Sequence, residues 1–168
     1  MNKILTNSIL NYKQNNINTL EIWVGKYLFT NKFNKIIDKS YYDSLYIKFI
    51  KYKYKIYHKK SFNYNNHFLE IIENNNTHIY NTNYSIFKLD NLLLYTLNTE
   101  NLNYNDFSCK QNYHTMAQNI IEFSINPDIS VQFIETNKKY SIKIVATINH
   151  NSDLSINIIN NLIKEFLI

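Results

Sequence analysis

The sequence predicts an α+β fold of two tandem small domains, residues 1–80 and 81–168, each a mainly antiparallel sheet packed against a helix. Three observations point there. Residues 129–135 and 140–148 alternate apolar and polar side chains on either side of the polar break 136–139, the pattern of a hairpin. Leu154, Ile158, Leu162 and Phe166 then recur four apart, flanked by Ile159 and Ile163, an apolar helical stripe wide enough to lie on a sheet. Upstream, strand-like runs outnumber helical ones, and each half ends with a helix or helix-like segment.

Taken in order, residues 1–18 read as a polar lead-in with a short helical or strand segment. Thr19 to Thr30 resembles a strand pair: Leu20, Ile22 and Val24 alternate, and Tyr27 and Phe29 follow a bend at Gly25, where glycine supplies backbone freedom. Residues 31–43 are a mixed connection. Leu45 to Tyr57 is expected to be a strand, with Lys51, Lys53 and Lys55 opposite Tyr52, Tyr54 and Ile56. Residues 58–67 read as a loop, and Phe68 to Asn76 as a short helix or strand. Leu92 to Leu97 reads as a buried strand, Asn98 to Asn105 as a turn region, Phe107 to Lys110 and Asn119 to Ile125 as further strands. Pro127-Asp128 punctuates before the closing hairpin. The side chains of Asn149 to Asp153 are suited to capping the final helix.

Composition narrows the classes. A 45% hydrophobic content fills a core, so the chain is expected to fold despite its asparagine runs. No apolar run approaches the roughly 20 residues needed to cross a bilayer, and residues 1–10 are too short and polar for a signal peptide. No membrane partner is expected, and the chain is expected to work where it is made or in the compartment whose genome encodes it. A single cysteine, Cys109, excludes an internal disulfide and a cysteine-rich zinc site. All 18 basic residues are lysine, and Gly25 and Pro127 are each the only one of their kind. Such usage suggests an AT-rich genome, as in relict plastids, some mitochondria, cytoplasmic plasmids and certain viruses. Residues 1–60 carry a balance of +9 and residues 61–168 a balance of −4, so the first third favours a polyanionic partner.

Chemistry-bearing motifs are sparse. His58, His67, His78, His114 and His150 show no metal-ligand spacing, and a glycine-rich phosphate loop is impossible with one glycine. Glu70 and Glu73 share a face only on a helix, where they fit a solvated surface better than an acid/base pair, and Cys109 reads as a small buried residue. No catalytic residue, metal or cofactor is expected. The Tyr/Lys stretch 46–57 is the strongest local binding signal, because lysines neutralise phosphates and aromatic faces stack on bases. The plainer reading of the same residues is a sheet strand with tyrosines inward and lysines in water.

One resemblance covers most of the chain. Asn112-Tyr113-His114, the step Ile121 to Val131, the strand Ile142 to Ala146, the helix start Asn149 to Ser152, and Leu20 to Phe29 around Gly25 are similar in order and spacing to landmarks of the large-subunit ribosomal protein six family of bacteria and organelles. The family's Gly-x-Asp turn, glycine-rich middle and basic tail have no counterpart. The resemblance implies a duplicated α+β fold acting as a structural constituent of an organellar large ribosomal subunit, near the factor-binding region. Its partners would be large-subunit rRNA and neighbouring ribosomal proteins. It would use no small-molecule substrate and have no enzymatic activity. The RNA-binding residues would be Lys110, His114, Lys138, Lys139, Lys143, Asn149, Asn151 and Ser152. The compartment would be a relict plastid (apicoplast), or alternatively a mitochondrion. The first rival is a single-stranded DNA-binding protein of an AT-rich plasmid or virus, resting on the Tyr/Lys strand; the second is an accessory subunit that binds protein.

Overall fold

The computed structural model describes residues 19–28, 32–64, 67–72, 76–81, 86–89, 92–99, 116–147 and 152–166. The closing unit expected from periodicity is present. Strands β10 (Ile129–Thr136) and β11 (Lys139–Thr147) pair antiparallel, and helix α2 (Ser152–Phe166) follows. Asn137 and Lys138 at the tip have φ values of 50° and 61°, the left-handed pair that a two-residue hairpin turn requires. Strand β9 (Met116–Asn126) precedes them and pairs with β10.

The first half departs from expectation in one element. Residues 39–49 form helix α1 (Lys39–Phe49), so Leu45 to Phe49 is helical, and strand β4 (Lys53–Tyr64) begins eight residues later than predicted. Tyr/Lys alternation does mark a strand from residue 53. Upstream, however, Tyr42, Leu45 and Phe49 are spaced for one helical face, and all three are buried. The predicted loop at 58–67 is the continuation of β4 and the start of β5 (His67–Ile72), which also settles the helix-or-strand choice there as strand.

Strands β1 (Thr19–Val24), β6 (Asn76–Asn81), β7 (Ile86–Leu89) and β8 (Leu92–Thr99) complete the main sheet, while β2 (Lys26–Tyr27) and β3 (Phe33–Asn34) form a separate small hairpin. Every pairing is antiparallel. Strand β1 bonds to β11 along one edge, Thr19↔Thr147 through Val24↔Ile142, and to β8 along the other, Thr19↔Leu97 through Val24↔Leu92. The order β1-β11-β10-β9-β4-β5-β6-β8 therefore returns to β1 and closes an eight-stranded barrel, with β7 beside β8. Closure gives each of these eight strands a neighbour on both sides.

The α+β class stands, as a mainly antiparallel sheet with two helices. The division at residue 80 does not separate two sheets: β4 pairs with β9, β6 with β8, and β1 with both β8 and β11. The expected lead-in at 1–18 and short strand at 107–110 lie outside the described residues. Among the described residues no helix is long and apolar enough to cross a membrane.

Both helices cover one side of the barrel. Leu20, Ile22 and Val24 of β1, Ile142, Ile144 and Ala146 of β11, Val131 and Phe133 of β10 and Phe123 of β9 form one core with Leu45 and Phe49 of α1 and Ile159, Leu162, Ile163 and Phe166 of α2. Each such side chain contributes about 1.5–3 kcal/mol by leaving water. Phe49 stacks on Phe166 at 5.7 Å between ring centroids, and the Tyr41 hydroxyl donates to the Phe166 carbonyl at 2.5 Å, tying the helices together. An eight-stranded barrel encloses room for side chains but not for two helices. The helix-covered face is therefore the outside, and the alternate residues of the same strands line the lumen.

Candidate functional site

Alternation turns Glu21 and Trp23 of β1, Ser141 and Lys143 of β11, Gln132 and Ile134 of β10, Ile120 and Glu122 of β9, and Lys55, Tyr57 and Lys59 of β4 into the lumen. Hydrogen-bond register carries one ring across these strands: Trp23↔Lys143, Lys143↔Gln132, Gln132↔Glu122 and Glu122↔Lys55. Local sequence explains the placement of Glu21, Gln132 and Lys143, each flanked by apolar residues that the outer core takes up, as in Leu20-Glu21-Ile22 and Ile142-Lys143-Ile144.

Two carboxylates organise the contacts. Lys143 Nζ donates to Glu21 Oε1 at 2.5 Å, and the Trp23 indole N–H donates to Glu21 Oε2 at 3.2 Å. Lys143 also lies over the Trp23 ring at 5.1 Å, and Lys35, just after β3, lies over it at 4.3 Å. Across the lumen, Glu122 Oε2 accepts from the Tyr57 hydroxyl at 2.7 Å and from Gln132 Nε2 at 2.8 Å, while Lys55 pairs with Glu122 Oε1 at 3.0 Å. This orientation of the Gln132 amide leaves its buried Oε1 without a hydrogen-bond partner. Lys59 is buried further along the same face of β4. Lysines at several depths beside carboxylates, inside a low-dielectric enclosure, make an environment for a chain of negative charges that carries its own counter-ions.

Among the described residues no group of three or more His, Cys, Asp or Glu side chains is placed to hold a metal ion by itself. Among the described lumenal residues, Glu21, Glu122 and the unpartnered Gln132 Oε1 offer carboxylate and amide oxygens. Mg²⁺ is commonly bound through one or two carboxylates with the rest of its shell from phosphate and water, so this set fits an ion that arrives with a phosphate ligand.

The residues singled out from sequence are scattered. Lys143 lies in the lumen. Lys138 and Lys139 are exposed in and beside the β10–β11 turn, and Ser152 begins α2. Lys110, His114, Asn149 and Asn151 lie outside the described residues. The plainer reading of the Tyr/Lys strand holds in part: Lys51, Lys53 and Lys55 are exposed and Tyr52 packs against the core, but Tyr54 and Ile56 sit on the outer face largely in solvent, and Lys55 pairs with Glu122. Sequence reading missed Glu21, Glu122 and Gln132, while Lys55 and Tyr57 lie in the Tyr/Lys stretch it marked for binding. The only signal of the three it missed was a polar residue between apolar neighbours, which an ordinary half-exposed strand also shows.

No protein-family profile matches the chain, and no curated protein sequence matches it. Solved structures do. A Mimivirus capping-enzyme triphosphatase superposes with a TM-score of 0.61 at 10% identity, covering 97% of this chain and 96% of that one. The RNA triphosphatase of S. pombe gives 0.65 at 10% identity, covering 95% and 83%. The RNA triphosphatase domain of a trifunctional mimivirus mRNA capping enzyme gives 0.60 at 8% identity, covering 99% and 96%.

This overturns the likeness to the large-subunit ribosomal protein six family and what rested on it: the structural ribosomal role, the rRNA and ribosomal-protein partners, and the absence of enzymatic activity and of a small-molecule substrate. The single-stranded DNA-binding alternative falls with it, since these similar structures are described as capping-enzyme and RNA triphosphatases. A hairpin running into a helix satisfies the same local periodicity in many folds; closure of the sheet through β1, between residues distant in sequence, is what discriminates. The chain has the fold of the RNA triphosphatases of mRNA capping.

Proposed function

We propose that this chain is a phosphohydrolase that takes the 5′-triphosphate end of an RNA into the barrel lumen and removes its γ-phosphate. The observation that carries this is the ring of lumenal lysines and carboxylates, Lys143, Glu21, Lys55 and Glu122, inside a closed barrel of triphosphatase fold. The interleaving of strands from both halves supports one barrel unit in place of two tandem domains.

In the reaction a water oxygen bonds to the γ-phosphorus as the bond to the β–γ bridging oxygen breaks. The electron pair leaves with that oxygen on the RNA 5′-diphosphate, and inorganic phosphate and a proton are released. Charge builds on the bridging and non-bridging oxygens, so fixed cations in a dry site stabilise the transition state. Lys143 supplies such a cation, and Lys55 adds a second from a more exposed position. On arrival of a phosphate, Lys143 shares its protons between the ligand and Glu21. The Glu21 carboxylate is then available to accept a hydrogen bond from the attacking water, while Tyr57 and Gln132 hold Glu122 in place. A divalent ion bound with the triphosphate would add charge neutralisation.

The test uses RNA labelled at the γ-phosphate, with Mg²⁺, with Mn²⁺ and with chelator. Release of labelled phosphate that is lost in Lys143→Ala and Glu21→Gln is the expected result. No release under any of these conditions, together with no binding of the triphosphate end, would overturn the proposal.

A further inference from the structure

Strand β4 is paired unevenly. Toward β9 it is bonded from Lys53↔Ser124 to Ser61↔Met116, but toward β5 only from Lys59↔Ile72 onward. Strand β5 cannot run further, because Ile72 already pairs with Asn76 and the chain has turned back into β6. Residues 53–58 therefore project past the β5–β6 turn, about 20 Å of backbone with one edge that pairs with no described strand. In an antiparallel ladder alternate residues bond to each side, so every second residue here presents its N–H and C=O away from β9.

Side-chain exposure agrees with an open edge. Lys55 and Glu122 stand opposite each other, yet Lys55 is 64% exposed and Glu122 only 13%. Glu122 has a strand on either side, and Lys55 has one. On the outer face Tyr54 is 58% exposed and Ile56 61%, although both are large apolar side chains. Tyr54 leans on Phe123 at 5.8 Å between ring centroids, as does Tyr46 of α1 at 5.5 Å. Ile50, one helical turn on from Tyr46, is exposed as well. On the opposite face of β4 Lys53 is exposed, and among the described residues neither it nor Lys51 has a carboxylate partner.

We infer that the open edge of β4 is a docking site for an extended segment of another protein, which adds itself to the sheet as a strand. A bare edge is a template for main-chain hydrogen bonds, and alternate side chains set which strand is accepted. The segment it fits carries apolar residues opposite Tyr54 and Ile56 on the outer face, and an acidic residue opposite Lys53 on the other. A second copy of this chain fits badly, since pairing two such edges sets Lys53 and Lys55 against their own counterparts. A strand of RNA would account for the lysines but not for exposed Ile50 and Ile56. The inference goes beyond the proposed hydrolysis and stands independently of it.

Hydrogen exchange of the whole chain, followed by NMR, tests the edge first. Alternate amides within 53–58 are expected to exchange about tenfold or more faster than those of residues 119–124, which β4 and β10 hold from both sides. Uniformly slow exchange would show the edge to be covered and overturn the inference. The binding probe is a short fluorescein-labelled peptide alternating valine and glutamate, with lysine replacing glutamate in its control. The glutamate peptide is expected to bind about tenfold or more tightly than the control and to slow the fast amides. Binding of neither peptide, or binding that leaves those amides fast, overturns strand addition. Lys53→Glu should abolish the preference for glutamate, and Tyr54→Ser with Ile56→Ser should weaken both peptides. The altered side chains lie mostly in solvent, so the far-ultraviolet dichroism should stay that of the parent. A preference retained in Lys53→Glu overturns the acidic partner. A 5′-hydroxyl oligoribonucleotide that displaces the peptide and loses affinity in Lys53→Glu would assign the edge to RNA instead. A chain that takes the peptide but releases no phosphate from triphosphate RNA refutes the hydrolysis alone, so the two failures are distinguishable.

Discussion

Replacing Lys143 with methionine keeps most of the aliphatic stem and removes the ammonium that Glu21 Oε1 faces at 2.5 Å. Both side chains are 7% exposed, so the carboxylate left behind cannot recover its solvation by turning into water. Breaking one side of a buried pair costs about 3–5 kcal/mol. For a chain of this size each kcal/mol lowers Tm by roughly 2–4 °C, so Lys143→Met should fall by about 6–20 °C. Adding Glu21→Gln removes the stranded charge and keeps an oxygen for the Trp23 indole N–H, and the double variant should return to within about 1–2 kcal/mol of the parent. Urea unfolding of parent, both single variants and the double variant closes the cycle. A loss in Lys143→Met below about 1 kcal/mol, or a double variant no more stable than that single, would refute the reading of Glu21 and Lys143 as a desolvated pair. Phosphate release, by contrast, should stay lost in the double variant, because the cation and the carboxylate assigned to the reaction are both gone whatever stability returns.

Other consequences are quickly checked. Burial, and then the charge of Glu135, raises the Tyr42 phenol pKa, and burial raises that of Tyr41. The folded pKa values thus exceed the unfolded value near 10, so this stability is complete below about pH 10 and is lost as pH climbs above it. Tyr42→Phe retains the ring contacts with Phe133 and Tyr140 and should flatten the decline between about pH 9 and 11 in urea midpoints; identical slopes would discount the phenol. Lys138→Gly at φ 61° should stabilise by about 0.5–1 kcal/mol, since a side chain is strained in that conformation, and should leave lumenal phosphate binding unchanged. Gly25→Ala drives a methyl into the Asn34 carbonyl and should cost about 1–3 kcal/mol while exposing Trp23 to acrylamide. A variant as stable and as protected as the parent would show the hairpin to be dispensable there.

Legibility followed the range of the interactions. Ile129, Val131 and Phe133 opposite Ile142, Ile144 and Ala146 could be paired by eye, because the turn between them is two residues long and the period is two. The helical stripe of α2 was equally plain, although Ile156 is buried and Ile158 only partly so, a rotation of the expected face. Leu45 to Phe49 misled because this apolar and aromatic run leads directly into the Tyr/Lys alternation of residues 51–55, and packing of Tyr42, Leu45 and Phe49 on the sheet decided against a strand. Gly25 was identified as special for the wrong reason, since crowding by Asn34 and Phe33 is invisible until the hairpin is folded back.

By itself the sequence determined the local periods: which stretches alternate, which stretch winds, and that Glu21, Glu122, Gln132 and Lys143 each sit between two apolar residues. Only the tertiary structure decided that β1 pairs with β11 on one edge and β8 on the other, and so which face of every strand is enclosed. Alternation assigns side chains to two faces without saying which one curvature will turn inward. That choice belongs to pairings between residues far apart in the chain, and it placed Lys143, Glu21 and Glu122 out of water on the enclosed face, with Lys55 paired to Glu122 from a more exposed position.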